Sequence, residues 1–322
     1  MAPGEHMHQG SWSIEVAAPA GVVYGLIADA ERWPLFLPPV VHVERLDFDG
    51  REDRLHTWSV VDGRIRSWFS RCVQDPSARR VECRQIDPQP PVRTMSGVWR
   101  VEERGPAACR LVLQHEFTLL DDRPESAAWA ERVVDADSRA CLARLKHLAE
   151  RWPVLDELVL SFEDEVRVNG PAELVHDFLY RAEDWARALA HVERVDLVED
   201  QPGVQRMAMD TRGADGAVHT TESVRVCFPH AGRLVHKQTV TPALVAAHTG
   251  EWQVVPDAYG VTVVSQHSVV VRDEAIEQVL GPGADLARAR RHLREALGRH
   301  SLAVLGLARH RAETAIELLH AA

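Results

Sequence analysis

The stretch IEVAAPAGVVYGLIADAERW (residues 14–33) returns as VRVNGPAELVHDFLYRAEDW (residues 166–185), ungapped and offset by 152 residues from Ile14 to Val166. Pro19 falls on Pro171, Glu31 on Glu183 and Trp33 on Trp185. Working outward, His42-Val43-Glu44-Arg45 recurs as His191-Val192-Glu193-Arg194, and Asp62-Gly63 as Asp215-Gly216. Ser70 falls on Ser223, Gln85 on Gln238, Gly97-x-Trp99 on Gly250-x-Trp252, and Gln114-His115 on Gln266-His267. The offset stays between 149 and 153. A period near 150 is the length of a whole domain rather than of a solenoid repeat. Two homologous domains in tandem are expected, at 1–155 and 156–322, joined near Trp152–Glu165.

Each half begins with period-two alternation: Trp12, Ile14 and Val16 in the first, Val166 and Val168 in the second. That pattern reads as a strand. A Pro-led helix follows over Pro19–Ala30 and Pro171–Ala182, since proline suits a helix start. Its apolar stripe is Val22, Val23, Leu26 and Ile27, matched by Leu174, Val175, Phe178 and Leu179. Short strands come next, at Leu55–Val61, Ile65–Val73, Val81–Gln85, Gly97–Glu102 and Cys109–Leu119 in the first half. The Asp-Gly pairs predict hairpins. Each half closes on a long helix, Ala127–Arg151 and Leu286–Leu319, the first with Val133, Val134, Ala140, Leu142, Leu145 and Leu148 as its apolar face. Gly281-Pro282-Gly283 reads as a turn, because no βαβ unit surrounds it. Strand runs followed by one helix give the α+β class. A curved antiparallel sheet wrapped around its long C-terminal helix leaves an internal cavity suited to a ligand.

Composition excludes several functions. A net charge of −11 argues against a nucleic-acid surface. No apolar run is long enough to span a bilayer, and no secretory signal opens the chain, so no membrane and a cytoplasmic location are expected. Five cysteines without a CxxC pair point to reduced thiols. GxSxG, HExxH and Walker motifs are absent. His6-Met7-His8 falls in a frayed terminus. The HVER segment reads as a strand with an outward charge pair and receives no chemistry.

The segments APAGVVYGLIADAERWP (18–34), SWFSRCVQDP (67–76), GVWRVEE (97–103) and LQHEFTL (113–119) resemble the aromatase/cyclases of bacterial type II polyketide synthesis, of the START-like (helix-grip) superfamily. The duplication matches their di-domain members and covers essentially the whole chain. The resemblance implies two tandem helix-grip domains. It also implies first-ring aldol closure and dehydration of a poly-β-ketone, which is carried by an acyl carrier protein working with other type II polyketide synthase components. In that family a pocket strand carries a Ser-x-Arg pair. Here it is intact as Ser223-Val224-Arg225, whereas Cys72 stands at the arginine's place in the first half and Arg71 is one residue off. A one-residue slip points a strand side chain to the opposite face. A loop tyrosine of some members aligns with Val40, and a pocket glutamine with His115 and His267. The second half is therefore expected to hold the principal site.

On this reading Arg225 stabilises an oxyanion, because guanidinium cannot act as a base. Ser223 positions a carbonyl or relays a proton, and His267 is the acid/base candidate. Gln238 and His248 are orienting groups. Trp185 and Trp252, with Trp33, Trp68 and Trp99 in the first half, offer flat walls to the polyketide ligand, and Ser70 and His115 are the first half's polar counterparts. Aldol and dehydration chemistry exchanges only protons, so no metal and no organic cofactor are expected. The alternatives are a non-catalytic hydrophobic-ligand or lipid carrier on the same fold, and a first half that only docks or supports the second. His267 as a satisfied sheet residue, the tryptophans as core anchors and Cys72 as a nucleophile are further readings of the same residues.

Overall fold

The computed structural model describes residues 6–121, 123–213 and 216–321, and divides into two compact units, Met1–Leu155 and Asp156–Ala322. In the first unit the strands are β1 His8–Val16, β2 Val40–Phe48, β3 Glu52–Val61, β4 Arg64–Asp75, β5 Arg80–Gln85, β6 Val92–Gly105 and β7 Ala108–Leu119. Its helices are α1 Ala20–Ala28, α2 Trp33–Phe36 and α3 Pro124–Ala149, and α4 Leu155–Leu158 carries the chain into the second unit. There β8 Val159–Val168, α5 Ala172–Tyr180, α6 Trp185–Ala188, β9 Val192–Gln201, β10 Val204–Arg212, β11 Val218–Phe228, β12 Arg233–Val240, β13 Val245–Asp257 and β14 Gly260–Val271 follow. The helices α7 Ile276–Leu280 and α8 Leu286–Ala321 end the chain.

Each unit is one seven-stranded antiparallel sheet, ordered β1-β7-β6-β5-β4-β3-β2 and β8-β14-β13-β12-β11-β10-β9. The first strand pairs with the last because the closing β-hairpin returns beside it, leaving β2 and β9 as the other edges. Asp62 and Gly63 both have positive φ, 49° and 73°, the conformation of a two-residue turn whose twist matches the β3–β4 ladder. In the β10–β11 connection, Asp215 lies outside the described residues.

Pro19 and Pro171 occupy the N-caps of α1 and α5, and Val22 N–H and Val175 N–H bond back to their carbonyls. Val23, Leu26 and Ile27, and likewise Val175, Phe178 and Leu179, are buried. Leu174 departs from the expected stripe and is exposed, one residue off the buried face. On α3 the buried face runs through Ala130, Ser138, Cys141, Leu142, Leu145 and Leu148, and Ala140 faces solvent instead of joining it. The expected linker is shorter than 152–165, because Val159 already pairs with Val270 in β8. His8 is not frayed: it opens β1 opposite Phe117, buried, with its Nδ1 3.0 Å from Glu131. Arg45 of the HVER segment bridges exposed Glu31 and the buried carboxylate of Asp53, so it is more than an outward charge. No helix among the described residues is long and apolar enough to cross a membrane.

The second unit's interior is layered. Val261 and Val263 of β14 join Val304, Leu305 and Ala308 of α8 in one apolar cluster around Trp185 and Trp252. Val269 and Val271 join Ala289 and Leu293 in another. Between them on the same two elements lie Ser265, His267 and Ser301, all buried.

Candidate active site

The first unit has a partly open cavity of about 260 Å³ between its sheet and α3. Trp33, Trp68, Ser70, Trp99 and His115, all marked by the sequence, line it. They converge because side chains two apart on a strand share a face, and cross-strand partners share it too. Trp68 and Ser70 lie on β4, Ser70 sits opposite Gln85, and Gly97 sits opposite both His115 and Cys83. Gly97 is needed here: a Cβ would stand 2.9 Å from His115 Cε1. Trp33 also anchors the core, its indole N–H donating to Ile27 O at 3.1 Å.

Two lining groups escaped the sequence reading. Cys83 is joined to Cys72 by a disulfide, which corrects the expectation of reduced thiols and leaves Cys72 no thiolate to attack with. Cys72 is 1% exposed and its neighbour Arg71 points outward to Glu52 at 3.4 Å, as the one-residue slip requires. The other group is Asp137 of α3, whose carboxyl is pushed up to about 6 by burial and by the charge of Asp62. Its signal in the sequence is a carboxylate on the apolar face of a helix, in step with Val133, Val134 and Cys141. His115 moves the other way: burial drives its imidazole down to about 4, offset in part by the hydrogen bond its ring N–H donates to the backbone carbonyl of Ser96. At neutral pH the cavity thus holds an uncharged imidazole and a carboxyl that keeps a share of its proton.

In the second unit Arg225 is turned inward and is 2% exposed. Its guanidinium donates to Leu179 O and, at 3.3 Å, to Tyr180 O at the end of α5, and lies 5.7 Å from the Trp185 ring. Burial lowers its affinity for its proton, with Cys227, Glu183, Tyr180 and Glu199 acting against that. Ser223 is buried opposite Gln238, and Ser223 Oγ, Gln238 Oε1 and His248 Nδ1 have no hydrogen-bond partner among the described residues. His248 Nε2 lies 2.9 Å from His267 Nδ1, and His267 Nε2 lies 2.6 Å from Ser301 Oγ. Burial holds His267 down at about 4 and His248 well below its ordinary value. Trp185 donates to Phe178 O at 3.1 Å and meets Trp252 edge-on at 6.3 Å, so both are core anchors. Arg225, Ser223 and Gln238 are brought onto neighbouring strands as expected. His267 and His248 stand with β13 and β14, held by hydrogen bonds of their own.

The family described as polyketide cyclase/dehydrase and lipid transport matches residues 7–150 and again 159–300. The chain belongs to this family, as one of its di-domain aromatase/cyclases. It is 40% identical over 314 residues to the granaticin polyketide synthase bifunctional cyclase/dehydratase of Streptomyces violaceoruber, covering 97% of this chain and 96% of that one. To the actinorhodin polyketide synthase bifunctional cyclase/dehydratase of Streptomyces coelicolor it is 38% identical over 325 residues, covering 97% and 98%. Among solved structures, the di-domain aromatase/cyclase BexL of the BE-7585A biosynthetic pathway superposes with a TM-score of 0.84 at 44% identity, over 95% of this chain and 99% of that one. StfQ of the steffimycin pathway gives 0.81 at 32% identity, over 96% and 99%.

Proposed function

We propose that this polyketide aromatase/cyclase closes and aromatises the first ring of a poly-β-ketone inside the first domain's cavity. The observation that carries this reading is one partly open cavity of about 260 Å³ walled by Trp33, Trp68 and Trp99 and carrying Ser70, His115 and Asp137. The chain is a cyclase/dehydratase enzyme, and its reaction moves only protons and water. A methylene between two carbonyls gives a proton to a mild base, and neutral His115 is such a base. The enolate carbon attacks a carbonyl, and the alkoxide takes up a proton. Loss of water then needs an acid and a base: the raised carboxyl of Asp137 protonates the departing hydroxyl, and His115, neutral again once the alkoxide has its proton, takes the α-proton as the C=C bond forms. Ser70 Oγ and the amide of Gln85 orient carbonyl oxygens, and the indoles favour a flattening ring.

The second domain's Arg225, Ser223 and Gln238 form a second polar set, with His267 beside it. We assign Arg225 to holding a carbonyl or oxyanion, since a guanidinium has donors beyond the two bonds it makes to Leu179 and Tyr180. The unpartnered Ser223 Oγ and Gln238 Oε1 favour a polar ligand there. The same buried polar groups weigh against a lipid carrier, whose cavity gains nothing from them. The substrate is taken to arrive on an acyl carrier protein, with other synthase components upstream, in the cytoplasm.

The test is reconstitution with a minimal polyketide synthase and comparison of products. Asp137→Asn and His115→Ala are expected to lose the aromatised product by tenfold or more, with shunt products rising. Full yield from both variants would overturn the assignment to the first cavity. The same assay on Arg225→Met decides the second set: unchanged yield and product pattern would remove it from the chemistry.

A further inference from the structure

We propose that the second domain carries a three-histidine site for a divalent transition metal of the zinc class, formed by His236, His248 and His267. The three side chains come from neighbouring strands β12, β13 and β14 and present one nitrogen each within 4.8 Å of one another. His248 and His267 rings stand 5.2 Å apart, His236 and His248 5.4 Å, and His236 and His267 6.2 Å. Tetrahedral zinc with Zn–N bonds of about 2.0–2.1 Å places its imidazole nitrogens roughly 3.3 Å apart, which small ring rotations supply here. The 2.9 Å separation of His248 Nε2 and His267 Nδ1 is already in that range.

The surroundings are those of a built site. Gly250 pairs with His236 on one side and His267 on the other, and a Cβ there would stand 2.3 Å from His236 Cε1. Only a residue without a side chain leaves room there for the His236 ring. His267 is oriented by a hydrogen-bond relay. Ser301 Oγ–H donates to Leu297 O at 3.0 Å, so its oxygen accepts from His267 Nε2–H and the bare lone pair of Nδ1 faces the other two histidines. His248 Nδ1 is buried without a hydrogen-bond partner among the described residues, an arrangement that costs stability unless something else engages the ring. His236 faces the other two rings and is the least buried of the three by exposed surface.

The first domain shows that this polar layer is no requirement of the fold. Cys83 and Met95 occupy the places of His236 and His248 there, and only His115 answers His267. No sequence motif announces the site, because its ligands come from three separate strands. Imidazole ligands suit zinc, nickel or copper better than magnesium or calcium. The nearby guanidinium of Arg225 disfavours a naked dication, so the open position is filled by an anionic or strongly polar oxygen. An enolised 1,3-diketone is one such ligand by chemical class.

The full-length protein is stripped with a chelator, mixed with excess zinc chloride, desalted and analysed for metal. One zinc per chain is expected, with a Tm several degrees above that of the stripped protein and no shift with magnesium. His236→Ala and His248→Gln are expected to weaken zinc uptake at least tenfold, whereas His292→Ala, on the exposed face of α8, keeps it. No uptake, or uptake undiminished in the first two variants, overturns the proposal. If those variants do not fold, cobalt(II) in the wild-type protein decides: an intense tetrahedral visible spectrum supports the site, and a weak octahedral one overturns it.

Discussion

Cys72 and Cys83 face each other across β4 and β5 at the register position where Arg225 faces His236 across β11 and β12. One domain has a covalent bridge on the inner wall where its twin has a guanidinium and an imidazole. The two domains thus differ at both members of one pair of opposed sites. Thiol titration in denaturant checks the bridge: three thiols per chain are expected without reductant, from Cys109, Cys141 and Cys227, and all five after reduction. Five without reductant would refute it.

Asp137 ties the stability of the first domain to pH. Its folded value near 6 lies above the ordinary 3.8, so the fold favours the neutral form. Below about pH 4 both states are protonated and nothing is lost, whereas above pH 6 the full penalty of burying the charge is present. Asp137→Asn is therefore expected to stabilise the protein at pH 8 by about 1–2 kcal/mol after allowing for solvent screening, and to leave it unchanged at pH 4. Denaturation at the two pH values measures this, and a destabilised variant at pH 8 would count against a strained carboxylate.

Gly97 and Gly250 both make room for histidine rings, with unequal tolerance. A Cβ at Gly97 meets only the His115 ring closely, at 2.9 and 3.0 Å. At Gly250 it meets the His236 ring and also Gln266 O, a backbone atom, at 2.8 Å. Gly250→Ala is expected to cost about 2–3 kcal/mol and Gly97→Ala about 1 kcal/mol, since overpacked backbone cannot rotate aside. Chemical denaturation of the two variants gives the order, and the reverse order would show that the β13 backbone moves freely.

Arg225 holds the carbonyls that end α5. Truncating it leaves Leu179 O without the guanidinium and Tyr180 O with only the 3.4 Å bond from Gln205 Nε2, and Arg225→Ala is expected to destabilise the second domain by about 1–3 kcal/mol. Urea denaturation checks this, and it sets the temperature at which product assays of Arg225 variants are meaningful. An unchanged midpoint would mean that water replaces the guanidinium at no cost.

The sequence by itself determined the duplication, the α+β class and the order of strands and helices along the chain. These follow from periodicity two, from proline at helix starts and from Asp-Gly turns, all local properties of the backbone. Trp33, Trp68, Ser70, Trp99 and His115 were legible as a set because alternate residues on one strand must share a face, and a second copy marks which of them recur. The tertiary structure alone decided which strands oppose each other and what α3 and α8 add from across the sheet. Asp137 reaches the same space as Ser70 only because a helix packs over the sheet, and Cys72 meets Cys83 only through strand register. His236, His248 and His267 likewise converge through pairings among three strands, which no spacing along the chain encodes.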